Sequence, residues 1–190
     1  KKFNNLIHIG AHLGQEVTLY QQYDFNNVFL VEPIAECVEV IKKKIKTLEK
    51  YKVFNYAMGS RNGTVNLFIA DGNSDSSSIL TPRESSITFS EEREVELRTF
   101  DSLQLETVDF AVIDTQGYEI EVLKGFNEKI YDLNFAIVEF ANYEGYMKQP
   151  KYKEIKKFMK KKGFIVVDQI KKIDSPFPSI KKGSCPFLFT

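Results

Sequence analysis

The 190-residue chain has little of what marks secreted, metal-binding or membrane-spanning proteins. Its two cysteines, Cys37 and Cys185, lie far apart, and neither belongs to a CxxC pair or a His cluster. The sequence therefore indicates neither a disulfide framework nor a zinc site. No apolar run approaches the roughly 20 residues that a membrane-spanning helix needs. A basic segment followed by an apolar one, the mark of a secretory signal, is also missing, and we expect a reduced, cytoplasmic protein.

The chain also lacks net charge, because 26 Lys and Arg residues balance 26 Asp and Glu residues. This balance hides an asymmetry: residues 148–190 hold 12 lysines and 3 acidic residues, which gives +9 for that part and −9 for the rest. A protein that tracks phosphates needs a basic stripe leading into its cleft. The motifs described below lie in the acidic part. We therefore expect no nucleic-acid partner, and we interpret the lysines as a solvated outer layer or a surface for an anionic acceptor.

Short apolar runs alternate with amphipathic segments. Runs of strand length occupy 6–9, 28–31, 53–58, 109–113, 135–140, 164–167 and 186–189. Helical patterns occupy 15–23, 34–50, 120–125 and about 152–162. Strands that alternate with helices predict an α/β protein with a mainly parallel sheet covered on both faces. The length predicts a single domain over residues 1–190.

One region interrupts this alternation. Arg61-Asn62-Gly63 is turn chemistry, and the alternating apolar residues that follow it predict a β-hairpin. Residues 71–90 are rich in serine, contain Pro82 and show no clear period. We predict a hairpin and a long loop or lid over about residues 63–95.

The first predicted strand ends in a glycine turn, Gly10-Ala11-His12-Leu13-Gly14. Glycine permits a tight turn and lets a ligand approach backbone N–H groups. Glu32 ends the next strand, where a carboxylate can accept hydrogen bonds from ribose hydroxyls. The spacing is not GxGxxG, so it favours a nucleoside cofactor without a diphosphate. The alternative is a turn glycine beside an exposed acid.

Two further carboxylates end later strands. Asp114 would face the same cleft as Gly10 and Glu32, where it can bind a cofactor amine, orient a substrate hydroxyl or act as its base. The alternative is a helix N-cap. Glu139 closes the next strand, either as a site residue or as an ordinary strand-end carboxylate. Together Asp114 and Glu139 could hold Mg²⁺ through oxygen ligands, although no spacing demands it and no metal ligand set is assigned.

Both histidines flank the glycine turn. His8 lies within the first strand, where a hydrogen-bonded core histidine is the simplest interpretation. His12 lies in the loop and faces either a cofactor or solvent. No GxSxG elbow accompanies them, so the sequence does not indicate a Ser-His-Asp hydrolase.

These motifs, in this order, resemble the FkbM family of S-adenosylmethionine-dependent methyltransferases. The matching stretches are 7–15, 31–33, 55–58 with Gly63, 76–78, 114–125 and 139–140. The specific part is the Asp-x-Gln-Gly-Tyr-Glu block at 114–119, because the glycine turn alone fits any class I methyltransferase. The family pattern usually has Asp where this chain has His8, and often Asn at His12.

The resemblance implies a three-layer, Rossmann-like class I fold with an antiparallel C-terminal strand, and S-adenosylmethionine as cofactor. Gly10, Ala11 and Gly14 would line the methionine part, Glu32 would hold the ribose, and Ala57 would border the adenine. The full set of implied cofactor residues is His8, Gly10, Ala11, His12, Gly14, Glu32, Pro33, Ala57, Met58 and Asp114. Asp114 and Gln116 would act beside the transferable methyl group. The acceptor would contact Ser77, Ser78, Glu139 and Tyr143.

The implied activity is O-methylation of a hydroxyl on a sugar, glycan or secondary metabolite. An RNA or DNA methyltransferase is one alternative, suggested by the basic C-terminal part. Against it, Asp114-Thr115-Gln116-Gly117 stands where amino-methylating enzymes usually have an Asn/Asp-Pro-Pro-aromatic block. A non-catalytic nucleoside-binding module is the other alternative.

Overall fold

The computed structural model describes residues 4–72, 74–83, 88–140, 145–169 and 187–189. The strands are β1 (Asn5–Ile9), β2 (Asn27–Val31), β3 (Tyr51–Phe54), β4 (Ala57–Met58), β5 (Gly63–Ile69), β6 (Glu91–Arg98), β7 (Phe110–Ile113), β8 (Phe135–Val138), β9 (Val166–Gln169) and β10 (Phe187–Phe189). The α-helices are α1 (Val17–Tyr20), α2 (Ala35–Ile45), α3 (Glu119–Gly125) and α4 (Tyr152–Lys161). No helix in these described ranges is long and apolar enough to cross a membrane.

Seven strands form the main sheet, in the order β3-β2-β1-β7-β8-β10-β9. The first five are parallel, and β10 runs antiparallel to both of its neighbours. The mainly parallel sheet and the antiparallel C-terminal strand are therefore confirmed. In chain order, β2 and β3 are added on one side of β1, and β7 and β8 are added on its other side, so the strand order reverses at β1. Ligands of such sheets bind at the carboxyl ends of the strands beside this reversal.

Both faces of the main sheet are covered. Alternate residues of a strand point to opposite faces, so the buried apolar residues of β1 and β2 contribute to two separate cores. One core packs side chains of α1 and α2 against Leu6, Val28 and Leu30. The other packs α3 and α4 against Ile7 and Phe29. This arrangement gives the three-layer architecture and makes the strand ends a rigid frame for a site.

A smaller sheet, in the order β4-β6-β5, lies outside the main one. The tight hairpin expected at Arg61-Asn62-Gly63 does not join β5 to the run 53–58. Instead β5 pairs antiparallel with β6, and β4 pairs parallel with β6. In β6 the charged residues outnumber the apolar ones, and only Val95 and Leu97 are buried. Strand propensity in such a half-exposed segment is weak, which explains why the sequence did not reveal it.

Candidate functional site

A cleft opens at the carboxyl ends of β1, β2 and β7, where the strand order reverses. The main sheet forms its floor, and β4, β5 and residues 74–79 form its other walls. Most of the residues singled out from the sequence meet there. Those lining the cleft are Gly10, Ala11, His12, Glu32, Pro33, Ala57, Met58, Ser77, Ser78 and Asp114.

Gly10 is required by a close backbone contact. Its φ is +84°, and a Cβ atom at this position would lie 1.7 Å from the carbonyl oxygen of Asp114. The N–H groups of Gly10 and Ala11 donate to the Val31 carbonyl at 2.9 and 3.1 Å. These two N–H groups are thus used within the protein, whereas the sequence suggested that they would face a ligand. The turn instead joins the ends of three strands into one surface.

Glu32 is buried on the cleft wall, with 4% of its surface exposed. Its Oε2 accepts from the His12 N–H at 2.8 Å, and its Oε1 accepts from the Ile34 N–H at 2.9 Å. Burial raises the pKa of Glu32 to about 7, against the opposing effect of these two hydrogen bonds. Each carboxylate oxygen retains a second lone pair with which it can accept from a hydroxyl. An exposed acid, the alternative from the sequence, is not what the structure shows.

Asn55 holds the backbone around Glu32, a contact that the sequence did not reveal. Its side-chain amide donates to the carbonyl oxygens of Glu32 and Pro33, at 3.0 and 2.9 Å. Asn55 belongs to the stretch 55–58, which the sequence associated with the adenine region. It therefore links the end of β3 to the backbone at the end of β2.

Asp114 enters the cleft from the end of β7. Its N–H donates to the Ile9 carbonyl at 3.0 Å, which continues the β1–β7 pairing by one residue. Its Oδ1 accepts from the Gln116 side-chain amide at 2.6 Å. Gln116 has a φ of +52° and is not one of the residues that line the cleft. The N-cap of α3 is Tyr118, without a side-chain cap, so the N-cap alternative for Asp114 is wrong.

Glu119 organises the turn that follows Asp114, although no role for this acid was predicted from the sequence. It is 2% exposed, and its Oε1 accepts from the N–H groups of Thr115 and Gly117 at 3.2 and 2.9 Å and from the Thr115 hydroxyl at 3.3 Å. Burial raises the pKa of Glu119 to about 7, against the effect of the hydrogen bonds. Its position in the Asp-x-Gln-Gly-Tyr-Glu block is the sequence feature from which Glu119 could have been identified as a site residue.

The serine-rich segment covers the cleft as a packed roof, which we define as residues 74–83. Ser74 Oγ lies 2.8 Å from Nε2 of His12, and the Ser78 hydroxyl donates to the Gln116 carbonyl at 2.7 Å. The Tyr146 hydroxyl donates to the Ser76 carbonyl. The roof therefore contacts both the glycine turn and the turn after β7.

Besides Gln116, four of the expected site residues lie away from the cleft lining or outside the described residues. His8 is 1% exposed, and its Nδ1 lies 3.0 Å from the Tyr20 hydroxyl, as a core histidine would be. Gly14 packs towards Ile41 of α2, and Glu139 is buried at the end of β8. Tyr143 falls outside the described residues.

A magnesium site at Asp114 and Glu139 finds no support in this geometry. Across the described ranges, no three His, Cys, Asp or Glu side chains are grouped as they would be around a metal ion. No step is therefore assigned to a metal.

Comparisons with known proteins agree with this geometry. The model of the methyltransferase FkbM domain matches residues 8–166. A curated relative, 2-O-methyltransferase NoeI of Sinorhizobium fredii (strain NBRC 101917 / NGR234), is 24% identical over 157 residues, which are 74% of this chain and 65% of the relative. The chain thus spans slightly less than two thirds of that protein.

Solved structures share the fold. Methyltransferase FkbM from Methylobacillus flagellatus KT superposes with a TM-score of 0.66 at 12% identity, over 98% of this chain and 43% of the other. A putative tRNA (m1A22) methyltransferase, Sp1610 of Streptococcus pneumoniae, in complex with S-adenosyl-L-methionine, gives 0.57 at 13% identity, over 100% of this chain and 66% of the other. The family match covers most of the sequence, and the matched range includes all the residues that line the cleft. The chain belongs to the FkbM methyltransferase family.

Proposed function

We propose that the chain forms a single methyltransferase domain that transfers a methyl group from S-adenosylmethionine to a hydroxyl of a sugar, glycan or related metabolite. The observation that carries the proposal is the meeting of Gly10, Glu32 and Asp114 at the strand reversal of a family methyltransferase fold. The 2-O-methyltransferase relative supports oxygen as the methyl acceptor.

The cleft residues fit this cofactor. Glu32 offers carboxylate oxygens to the two ribose hydroxyls, and Ala57, Met58 and Leu67 offer an apolar surface to the adenine. Beside the glycine turn, the side-chain oxygen of Gln15 is buried and lacks a hydrogen-bond partner among the described residues. Such an acceptor suits a ligand that brings its own N–H donors.

Asp114 is the group placed to manage the acceptor proton. The cofactor, when bound, supplies a methyl group activated on a sulfonium. The Asp114 carboxylate can orient the acceptor hydroxyl and take its proton during or after transfer, while the Gln116 side-chain amide restrains the carboxylate. The roof limits access of water to the cleft. Positioning of this kind can provide much of the rate enhancement of a displacement reaction.

The test is calorimetric titration with S-adenosylmethionine, followed by transfer of a labelled methyl group into a glycan-rich cell extract. We expect saturable binding and label in an alkali-stable methyl ether. The absence of cofactor binding would contradict the proposal and favour an interaction module. Binding that polynucleotides compete with, together with label in nucleic acid, would contradict the hydroxyl acceptor and favour the RNA or DNA alternative.

A further inference from the structure

The outer face of helix α4 carries a row of exposed lysines. Side chains spaced by three, four and seven residues share one face of an α-helix. On one side of α4, Ile155, Phe158 and Met159 pack in the core together with residues of α3. The opposite side, which we call the lysine face, consists of Lys153, Lys156, Lys157, Lys160 and Lys161.

The charges of the lysine face are not neutralised by carboxylates of the described chain. All five lysines are exposed, and none of them forms an ion pair with any residue that the structure describes. On α2, by contrast, Lys42 pairs with Glu39 at 2.7 Å. Glu154, the acid of α4, accepts from the backbone N–H of Lys151 at 2.8 Å instead of pairing with the lysine face. The face therefore presents five positive charges to solvent.

The chemistry of this face favours a lipid surface over a nucleic acid. Residues 148–190 contain 12 lysines and no arginine. Arginine can bind a phosphate through two parallel hydrogen bonds, whereas lysine acts as a hydrated point charge. The aromatic residues of α4, Tyr152 and Phe158, pack against the core, so this helix places no ring among its lysines for stacking on bases. A plane of positive charge of this kind complements a negatively charged bilayer surface.

The position of α4 points the same way. Its core lies on the face of the main sheet opposite to α2. The described lining of the cleft includes no residue of α4, whereas a nucleic-acid substrate needs a basic track that leads into the cleft. Contact through the lysine face therefore uses no residue of the site.

We propose that the lysine face of α4 binds the surface of membranes that contain anionic lipids. The helix lies on such a surface without inserting, because its apolar side is already packed in the core. Each lysine near an anionic surface strengthens binding about fivefold. The attraction decays over the Debye length, about 8 Å at physiological ionic strength, so binding should weaken as salt is raised. This proposal does not depend on the methyltransferase activity.

The test measures cosedimentation of the protein with lipid vesicles. The vesicles contain phosphatidylcholine alone or phosphatidylcholine with about 30% phosphatidylserine. We expect the wild type to bind only the vesicles with phosphatidylserine. The triple variant Lys153→Gln/Lys157→Gln/Lys160→Gln should bind them about 50- to 200-fold more weakly, as the loss of three surface charges implies.

The matched control removes the same charge from the other side of the sheet. Lys42→Gln/Lys43→Gln/Lys46→Gln changes three exposed lysines in and just after α2. This control should lose less than about fivefold in affinity for the same vesicles. Equal losses in the two triple variants, or a wild type that does not bind phosphatidylserine vesicles, would overturn the proposal.

Two further measurements separate charge from other causes. Arginine at the same three positions of α4 keeps the charge, so that variant should bind the vesicles within about threefold of the wild type; a tenfold loss would contradict an electrostatic contact. Polyuridylate is the competing polyanion, and tighter binding to it than to the vesicles, lost in the α4 glutamine variant, would overturn the lipid assignment in favour of nucleic acid. Circular dichroism checks that each variant folds.

Discussion

At the scale of single residues, the site is a set of carboxylates that differ in their surroundings. Glu32 and Glu119 are buried and accept backbone hydrogen bonds, and both have a pKa raised to about 7. Asp114 lines the cleft and accepts a hydrogen bond from the Gln116 side-chain amide. Neighbouring acids whose burial and hydrogen bonds differ usually have different roles in a site. Asp114 is therefore the one we expect to act on the acceptor, and the other two support the cleft.

Asp114→Asn tests this assignment. We expect the rate of methyl transfer to fall by about 10²- to 10⁴-fold, because an amide cannot accept the hydroxyl proton. The affinity for S-adenosylmethionine should change less than about fivefold, since the variant keeps the size and shape of the side chain. Single-turnover transfer and calorimetry measure the two quantities. Asp24→Asn, an exposed substitution remote from the cleft, is the control; wild-type activity in Asp114→Asn would refute the role of Asp114.

Glu119 makes a pH-dependent contribution to stability. Its pKa of about 7 in the folded protein exceeds the unfolded value of about 4.5, so the folded state holds a proton that the unfolded chain releases. The free energy of unfolding should therefore fall as pH rises from about 4.5 to 7 and level off above that. Glu32 contributes with the same sign.

The variant Glu119→Gln should lose its share of this pH dependence. In urea unfolding, the free energy of unfolding of Glu119→Gln should fall less between pH 5 and pH 8 than that of the wild type, by about 1–3 kcal/mol. Glu128→Gln, an exposed substitution nearby, should decline as the wild type does. If Glu119→Gln and the wild type declined equally, Glu119 would not hold a raised pKa.

At the scale of elements, turns decide where the strand ends meet. The glycine turn after β1 and the turn after β7 are in direct backbone contact, and the roof contacts both. A substitution that shifts one of these turns should therefore also shift the other turn and the roof. A substitution that adds a side chain at Gly10 tests the contact between the two turns most directly.

Gly10→Ala should destabilise the protein much more than the same change at an open glycine. Both Gly10 and Gly72 have positive φ, +84° and +69°, so both substitutions carry backbone strain of about 1 kcal/mol. A Cβ at Gly72 meets nothing within 4 Å, whereas at Gly10 it would overlap the Asp114 carbonyl. We expect a loss of about 1 kcal/mol for Gly72→Ala and of at least about 3 kcal/mol for Gly10→Ala in urea unfolding. Similar losses in the two variants would contradict the close contact.

At the scale of the whole molecule, the cleft joins parts that are distant in sequence. The main sheet supplies Gly10, Glu32 and Asp114, while the smaller sheet and the roof supply Met58 and Ser77. Arg93 of β6 also forms an ion pair with Glu36 of α2, at 2.8 Å. A ligand in this cleft would contact both sheets, so it should stabilise them together.

Thermal unfolding tests whether they behave as one unit. Without ligand we expect one cooperative transition, as for a single domain. S-adenosylhomocysteine at 100 times its Kd should add about 2.7 kcal/mol and raise the Tm by roughly 5–10 °C. Calorimetric and van't Hoff enthalpies should agree. Two transitions, of which only one responds to the ligand, would show that the smaller sheet unfolds as a separate unit.

Much of the frame could be predicted from the sequence, because its signals are local. The runs 6–9, 28–31 and 109–113 are mostly apolar, as is typical of strands buried on both faces, and they appear as β1, β2 and β7. Helix α4 also begins and ends close to its predicted bounds. Helix α1 is shorter than the pattern over 15–23 indicated: it covers Val17–Tyr20 only, because segment ends depend on packing as well as on period.

The sequence by itself determined the fold class and the strand-end residues Gly10, Glu32 and Asp114, since buried periodicity and turn chemistry act between neighbours in the chain. The family followed from the resemblance of its motifs to known ones. Only the tertiary structure decided that β5 pairs with β6, that the serine-rich segment roofs the cleft, and that His8 lies in the core. It also revealed Asn55, Glu119 and the buried oxygen of Gln15. Their roles depend on hydrogen bonds to groups that reach them only through the fold, and on burial, which is a property of the packed molecule and not of any local stretch of residues.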